Sequence, residues 1–174
     1  MATLPIIVAP DPRLKLRAEP VAEVDGEIRR LMDDMLESMH AANGIGLAAP
    51  QVGRLQRVIV VDVSPAEEGA APMFLANPAI VWHSDETVLG EEGCLSLPDQ
   101  YAEVWRPRRV RVRFVDRDNR AREVEAEGLL ARCLQHEIDH LQGILFVDHL
   151  SALKRGIILR RLTKTRRQQL SAAD

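Results

Sequence analysis

Two histidines four residues apart, the first followed at once by a glutamate, stand in the run His136-Glu137-Ile138-Asp139-His140. In a helix both imidazoles lie on one face and can bind the same cation, while the glutamate stands beside the coordination position left open. The chemistry such a group supports is metal-assisted hydrolysis of an amide, with Glu137 as general base. Two blander readings compete on this motif alone: an accidental polar pair on an exposed helix face, and a structural zinc site.

A catalytic cation needs a third protein ligand and a position free for water. The chain has two cysteines, Cys94 and Cys133. Cys133 precedes His136 by about one helical turn, whereas a cation shared by the histidines sits near the level of residue 138, about 7.5 Å further along the axis. A short thiol side chain making a bond of ~2.3 Å does not easily span that offset, so Cys133 is expected as a small core residue flanking the site. Cys94 lies in Glu91-Glu92-Gly93-Cys94-Leu95-Ser96-Leu97-Pro98. There Gly93 lets a backbone or ligand come close, and Pro98 limits regular structure just beyond. A thiolate could be presented from such a turn, although without the helix motif a lone cysteine reads more readily as a buried, unreactive thiol.

The third segment with chemical potential is Gly44-Ile45-Gly46-Leu47-Ala48-Ala49-Pro50-Gln51. Gly44, Gly46 and Ala49, with Asp62 eighteen residues past Gly44, imitate a dinucleotide-binding fingerprint. The order of elements is wrong for that use, because the segment follows a helical pattern and precedes a strand, and nucleotide binding needs strand, loop, then helix. Small residues here instead let an extended peptide approach the loop backbone, with the Gln51 amide able to read it.

The elements that must hold these groups can be read from the apolar spacing. Ile28, Leu31, Met32, Met35, Leu36 and Met39 recur at steps of three and four, which predicts a helix over 27–40 with Asp25 as its N-cap. Val58 to Val63 is almost continuously apolar and β-branched, as in a buried strand, and shorter strands are expected at Ile80 to Trp82 and Thr87 to Leu89. Val110 to Val115 alternates with Arg111 and Arg113, and turn residues from Asp116 to Asn119 lead to an extended run around Val124, which together predict a hairpin. Helical spacing returns from Leu129 to Leu141, with Gly143 placed to end that helix, and Ser151 can cap a last one. The expected fold class is α+β, with mainly antiparallel strands packed around a central helix that carries the histidines, and a C-terminal helix.

At 174 residues, 46% apolar and 28% charged, the chain is expected to form a single domain over 1–174. Met1 to Thr3 lack a basic start and the apolar run after them is cut by Pro10 and Pro12, so no export signal is visible; with two cysteines this predicts reduced thiols in a cytoplasm. No stretch approaches the ~20 apolar residues of a membrane span. Residues 151–174 carry seven Lys and Arg against the single Asp174, a local charge of +6, which leaves the first 150 residues at −9. A basic helix at about 151–170 on an acidic body suits an anionic partner such as RNA, and suits equally well a solvated helix face.

Taken in order and with their separations, the glycine segment ending at Gln51, Glu92-Gly93-Cys94-Leu95-Ser96, and Gln135-His136-Glu137-Ile138-Asp139-His140 resemble the three signature motifs of the peptide deformylases, and the resemblance runs from the first helix to the last. It implies an enzyme that removes the formyl group from the N-terminal methionine of newly made proteins and releases formate. It implies Cys94, His136 and His140 as ligands of one divalent metal ion, with iron(II) expected and zinc(II) or nickel(II) compatible with the same donors. Glu137 is then the catalytic acid and base, and Gln51 and the backbone N–H of Leu95 serve the substrate carbonyl oxygen. The substrate is expected along Gly44, Ile45, Gly46 and Gly93, with a methionine pocket partly lined by Arg132 and Cys133.

Arg132 stands where an apolar residue is more usual, so its stem is expected at the pocket mouth with its charged head in water. The family pattern also suggests that Arg106 pairs with Glu92 to hold the Cys94 segment, against an ordinary surface arginine. His40, His83 and His149 lack ligand-like spacing and are expected to be structural or exposed. The implied partners are N-formylmethionyl nascent peptides, with ribosome contact through the basic C-terminal helix, and neither a membrane nor DNA. Two alternatives stay open: a noncatalytic zinc-stabilised module that binds ribosomal RNA, and a metalloendopeptidase built on the same helix motif.

Overall fold

The structure is a computed structural model that describes residues 2–173. Helix α1 (Gly26–Ala41) forms where the spacing predicts it: Asp25 accepts the Ile28 N–H at 2.9 Å, and Ile28, Leu31, Met32, Met35 and Met39 share the buried face. The glycine segment follows as a short strand β1 (Gly46–Ala48) and a 3-10 turn at Ala49–Val52, then strand β2 (Val58–Val61). Strands β3 (Met73–His83), β4 (Thr87–Cys94), β5 (Leu97–Pro107), β6 (Arg109–Val115) and β7 (Ala121–Glu127) precede helix α2 (Gly128–Leu141) and helix α3 (Ala152–Ala172).

The strands make two sheets, one of five strands in the order β1-β2-β3-β6-β7 and a separate ribbon of β4 and β5, with every neighbouring pair antiparallel. Strand β2 shows why its sequence is apolar without alternation. Val58 and Val60 pack with α1, while Ile59 and Val61 pack with α2, so both faces of the strand are covered. Leu134, Ile138 and Leu141 of α2 join Leu75, Val110 and Val112 in the same cluster, which packs α2 on the sheet, while Gln135 of α2 donates at 3.0 Å to the Pro107 carbonyl at the end of β5. A third cluster gathers Ala9, Leu14, Leu97, Val104, Phe146 and Val147 against Ile158 and Leu162, the two buried residues of α3.

The strand pattern differs from the sequence reading in several places, among them the unforeseen β1 and a β4 that runs past Leu89 to Cys94. The run Val58 to Val63 leaves the ladder after Val61, where the Asp62 N–H turns to the Ile45 carbonyl at 2.8 Å. The short strand expected at Ile80 to Trp82 is the end of β3, eleven residues long, which is hard to read because Asn77 takes a positive φ and the register shifts on both sides of Ala79–Ile80. Strand β5 was not foreseen, since Pro98 and Asp99 at its start carry turn signals, with Asp99 at φ 61°. By contrast, the hairpin of β6 and β7 is paired as expected, with Arg111 against Glu125 and Arg113 against Glu123.

The ends of the helices also have local causes. Gly143 closes α2 at φ 75°, with the Lys15 carbonyl so close that a Cβ would have no room. Ser151 accepts the Lys154 N–H at 3.3 Å and caps α3. Among the described residues no helix is long and apolar enough to cross a membrane.

Candidate metal centre

Helix α2 delivers His136, Glu137 and His140 from one buried face, and the end of β4 delivers Cys94. The ligand atoms of Cys94, His136 and His140 all lie within 4.8 Å of one another, with Cys94 Sγ 3.4 Å from His140 Nε2. The two imidazoles meet edge to face at a centroid distance of 5.1 Å, and Phe146 stacks on His136 at 6.1 Å. His136 Nδ1 is 2.8 Å from Glu92 Oε1. With Nδ1 donating to that carboxylate, the Nε2 lone pair is left for a cation, the usual arrangement behind a ligating histidine.

A thiol and two imidazoles within this spacing match the donor set that takes zinc, iron or nickel. The fit is supported by Glu137 Oε2, a buried carboxylate oxygen beside the group that has no partner in the protein. Cys133 is outside the group: its thiol points to the Ile45 carbonyl at 3.6 Å, and burial pushes its pKa up.

Burial also dominates the charges here. It pushes the Glu137 carboxyl up to about 7, against the pull of a charged His136, with Glu92 adding to the rise. Burial raises the Glu92 carboxyl too, but the hydrogen bonds from Arg106 and His136 outweigh it and hold Glu92 well below the usual carboxylate range. His136 is disfavoured as a cation by burial, yet Cys94 and Glu92 raise its pKa above the ordinary value; His140 is pushed down by burial and by His136.

One cavity of about 510 Å³ opens onto this group. Of the residues expected at the substrate, Gly44, Ile45, Gly46, Gly93, Leu95, Arg132 and Cys133 all line it, together with Gln51, Cys94, His136 and Glu137; His140 lies behind the wall, 1% exposed. Gln51 is held rigidly, its Oε1 accepting the Ala48 N–H at 2.9 Å and its Nε2 donating to Ser96 Oγ at 3.0 Å and toward Cys94 Sγ at 3.6 Å. The N-terminal segment ties these two loops down, through Ile7 N–H to the Gln51 carbonyl and Ala9 N–H to the Ser96 carbonyl, both at 2.8 Å. A Cβ on Gly46 would stand 2.6 Å from Glu137 Oε1, so only glycine leaves the carboxylate its place.

Sequence reasoning missed Tyr101 and Leu129 in the cavity wall. Leu129 carries a signal, because it lies one turn before Cys133 on the same helix. Tyr101 carries none, since only the register of β4 and β5 sets it opposite Gly93, where a Cβ would fall 2.6 Å from the ring. His149, expected to be structural or exposed, sits with its Nε2 2.8 Å from Asp139 Oδ2, in a network behind the site. Arg106 is buried there: it grips both Glu92 oxygens at 2.7 and 2.8 Å and donates to Asp139 at 2.8 Å.

Arg132 departs from expectation. Its stem lines the cavity, but its head, rather than standing free in water, is turned to Glu92 and to the carbonyls of Val88, Gly90 and Val104, which leaves the side chain 12% exposed. Those acceptors explain the change, because a guanidinium that finds four of them in a ribbon edge gains more than it loses by leaving solvent.

A family model described as polypeptide deformylase matches residues 3–156, ending within α3. The peptide deformylase of Methylocella silvestris is 58% identical over 167 residues, covering 94% of this chain and 85% of that protein. That of Rhizobium meliloti is 53% identical over 164 residues, covering 94% of each. Among solved structures, a crystal structure of peptide deformylase from Ehrlichia chaffeensis superposes with a TM-score of 0.91 at 42% identity, over 97% of this chain and 99% of that one. A second, in complex with actinonin, gives 0.91 at 44%, over 95% and 98%.

Proposed function

The chain belongs to the polypeptide deformylase family, and from that premise we propose that it is a metal-dependent hydrolase that removes the N-formyl group from the terminal methionine of newly synthesised proteins, releasing formate. The observation that carries the reading is the grouping of Cys94, His136 and His140 at the wall of a cavity into which Glu137 also faces.

In this reading Cys94, His136 and His140 hold one divalent cation, which we take to be iron(II), with zinc(II) or nickel(II) accepted by the same donors. Bound there, the cation supplies Lewis acidity, polarising a carbonyl and making a water more acidic. Glu137 removes the proton from the attacking water and later delivers it to the departing amine nitrogen. Burial favours the protonated form of Glu137, which helps it keep the proton it has taken until the amine departs. The Leu95 backbone N–H and the Gln51 amide donate to the formyl oxygen as it gains charge; Gln51 exchanges its long 3.6 Å contact with Cys94 Sγ for this bond while Ala48 and Ser96 keep the side chain in place. Gly44, Ile45, Gly46 and Gly93 admit the extended peptide backbone, and Cys133 with the Arg132 stem takes the methionine side chain.

Residues 1–174 act as one catalytic domain in this proposal, working in the cytoplasm, where nascent chains are made. Its basic C-terminal helix contacts the ribosome that supplies the formylated peptide. Formate release from a formyl-methionyl peptide, measured on protein prepared anaerobically and analysed for metal, tests the central claim. Stoichiometric metal with formate release supports it. Cleavage at internal bonds of an unformylated peptide without formate release would make the protein an endopeptidase instead.

A further inference from the structure

The β4–β5 ribbon shares no strand pairing with the five-stranded sheet, yet Cys94 sits on the ribbon and the two histidines sit on α2. Besides the cluster that joins Leu97 and Val104 to Phe146 and Val147, side chains between helix and ribbon help bring the three donors together. Arg106 is one such link, through Glu92 and Asp139. His136 itself, through Glu92, and Gln135, which donates to the Pro107 carbonyl at 3.0 Å, are others, and Arg132 makes the largest number of bonds from helix to ribbon. It leaves α2 one turn before His136, and its side chain is 12% exposed. Its Nη1 donates to Glu92 Oε2 at 2.7 Å, to the Val104 carbonyl at 2.9 Å and to the Gly90 carbonyl at 3.3 Å, and its Nη2 donates to the Val88 carbonyl at 3.0 Å.

Neutralising Glu92 does not require this residue, because Arg106 already meets that carboxylate with two bonds. The additional bonds go to main-chain carbonyls on both ribbon strands, at Gly90 and Val104, which are register partners, and at Val88. A rigid fork that touches both strands fixes where the ribbon lies on the helix, which a point charge on a flexible stem does less well. The ribbon leaves space for the fork: a Cβ on Gly90 would fall 2.8 Å from Cζ, Nε and Nη2 of Arg132.

We propose that Arg132 is a positioning residue for the cation site, locking the strand that ends in Cys94 onto the helix that bears His136 and His140 through Glu92 and three carbonyls. The proposal rests on the reading of those three residues as ligands. The cation's hold then depends on a side chain that touches neither cation nor donor, since loss of a partner behind a ligand typically weakens metal binding 10- to 100-fold. Gly90→Ala displaces the guanidinium without removing its charge and should act like loss of Arg132 itself.

The test is release of cobalt(II) from the loaded protein to excess chelator, followed by its visible absorption, beside the thermal midpoint of each metal-free protein. Arg132→Met keeps the stem and Gly90→Ala keeps the arginine; both should release cobalt roughly tenfold faster than the unaltered protein. Arg132→Lys should fall between, and adding Gly90→Ala to Arg132→Met should add little, because both act through one contact. Unchanged release in the single variants, with only the metal-free midpoint lowered, would make Arg132 a structural strut and overturn the proposal. Should Arg132→Met fail to fold, Gly90→Ala decides by the same measure. Failure of the unaltered protein to take up cobalt would remove the ligand assignment itself, and the proposal with it.

Discussion

Glu137 is buried, packs against Gly46 and keeps Oε2 without a partner in the protein, and the one charged contact of its Oε1 is a long one, 4.0 Å to His136 Nε2. Substitution should therefore separate chemistry from binding. Glu137→Gln is expected to keep the fold and a full complement of metal while formate release falls by about 10²- to 10⁴-fold, the span of general acid and base catalysis. Metal analysis beside the turnover assay checks this; retained turnover would take the proton transfer away from Glu137. At this scale much was legible beforehand. The rise of a helix alone separates Cys133 from the histidines. The inward turn of Arg132 was not legible, because its acceptors are carbonyls of Val88, Gly90 and Val104, whose position depends on tertiary packing.

Elements differ in how openly their sequence declares them. Helix α1 and the β6–β7 hairpin were readable because one face of each is buried and the other is solvated, so their period shows. The ribbon was legible only at the start of β4, Thr87 to Leu89; β5 hid behind Pro98, Asp99 and a mixed pattern, and the ribbon's exposed face is unlike that of β6 and β7. Where Arg111 and Arg113 face glutamates, Glu91 directly faces Glu103. Like charges in register destabilise a pair, and opposite ones contribute roughly 0.2–1 kcal/mol. Glu103→Arg is thus expected to raise the urea midpoint at low ionic strength, with the gain fading in high salt. An unchanged midpoint at low salt would mean that solvent already screens the two carboxylates.

A second element-level link joins α1 to the turn after β6, where Arg117 donates to Asp33 Oδ2 at 2.8 Å. The hydrogen bond from Arg117 lowers the Asp33 pKa from its ordinary 3.8. A depressed carboxyl contributes stability that is fully present above the unfolded value and is lost as pH falls through the folded one. The pair is about a third exposed, so the contribution at neutral pH is expected below ~1 kcal/mol. Unfolding of Asp33→Asn beside the unaltered protein should show that deficit near pH 7 and its disappearance below pH 3.8. A deficit that stays constant into acid would assign it to packing.

At the scale of the whole molecule, charge is divided where the packing is divided. Residues 151–174 carry +6 on a body of −9, and helix α3 buries only Ile158 and Leu162, so its second half takes no part in the core. That half also lies beyond residue 156, where the family match ends. A helix that packs only through Ile158 and Leu162 and lines no part of the cavity can lose the charge of its exposed face without cost to catalysis. Replacing Lys154, Arg160, Arg161, Lys164, Arg166 and Arg167 by Gln should leave turnover on a short formylated peptide unchanged; Arg155 is kept because it donates to Asp148 at 2.9 Å and anchors the helix. Cosedimentation with ribosomes at low salt should fall sharply, since screened cationic contacts supply most of the affinity for an RNA surface. Equal cosedimentation of the neutralised and unaltered proteins would reduce the basic face to a solvated helix, while a loss of peptide turnover would show that α3 supports the cavity after all.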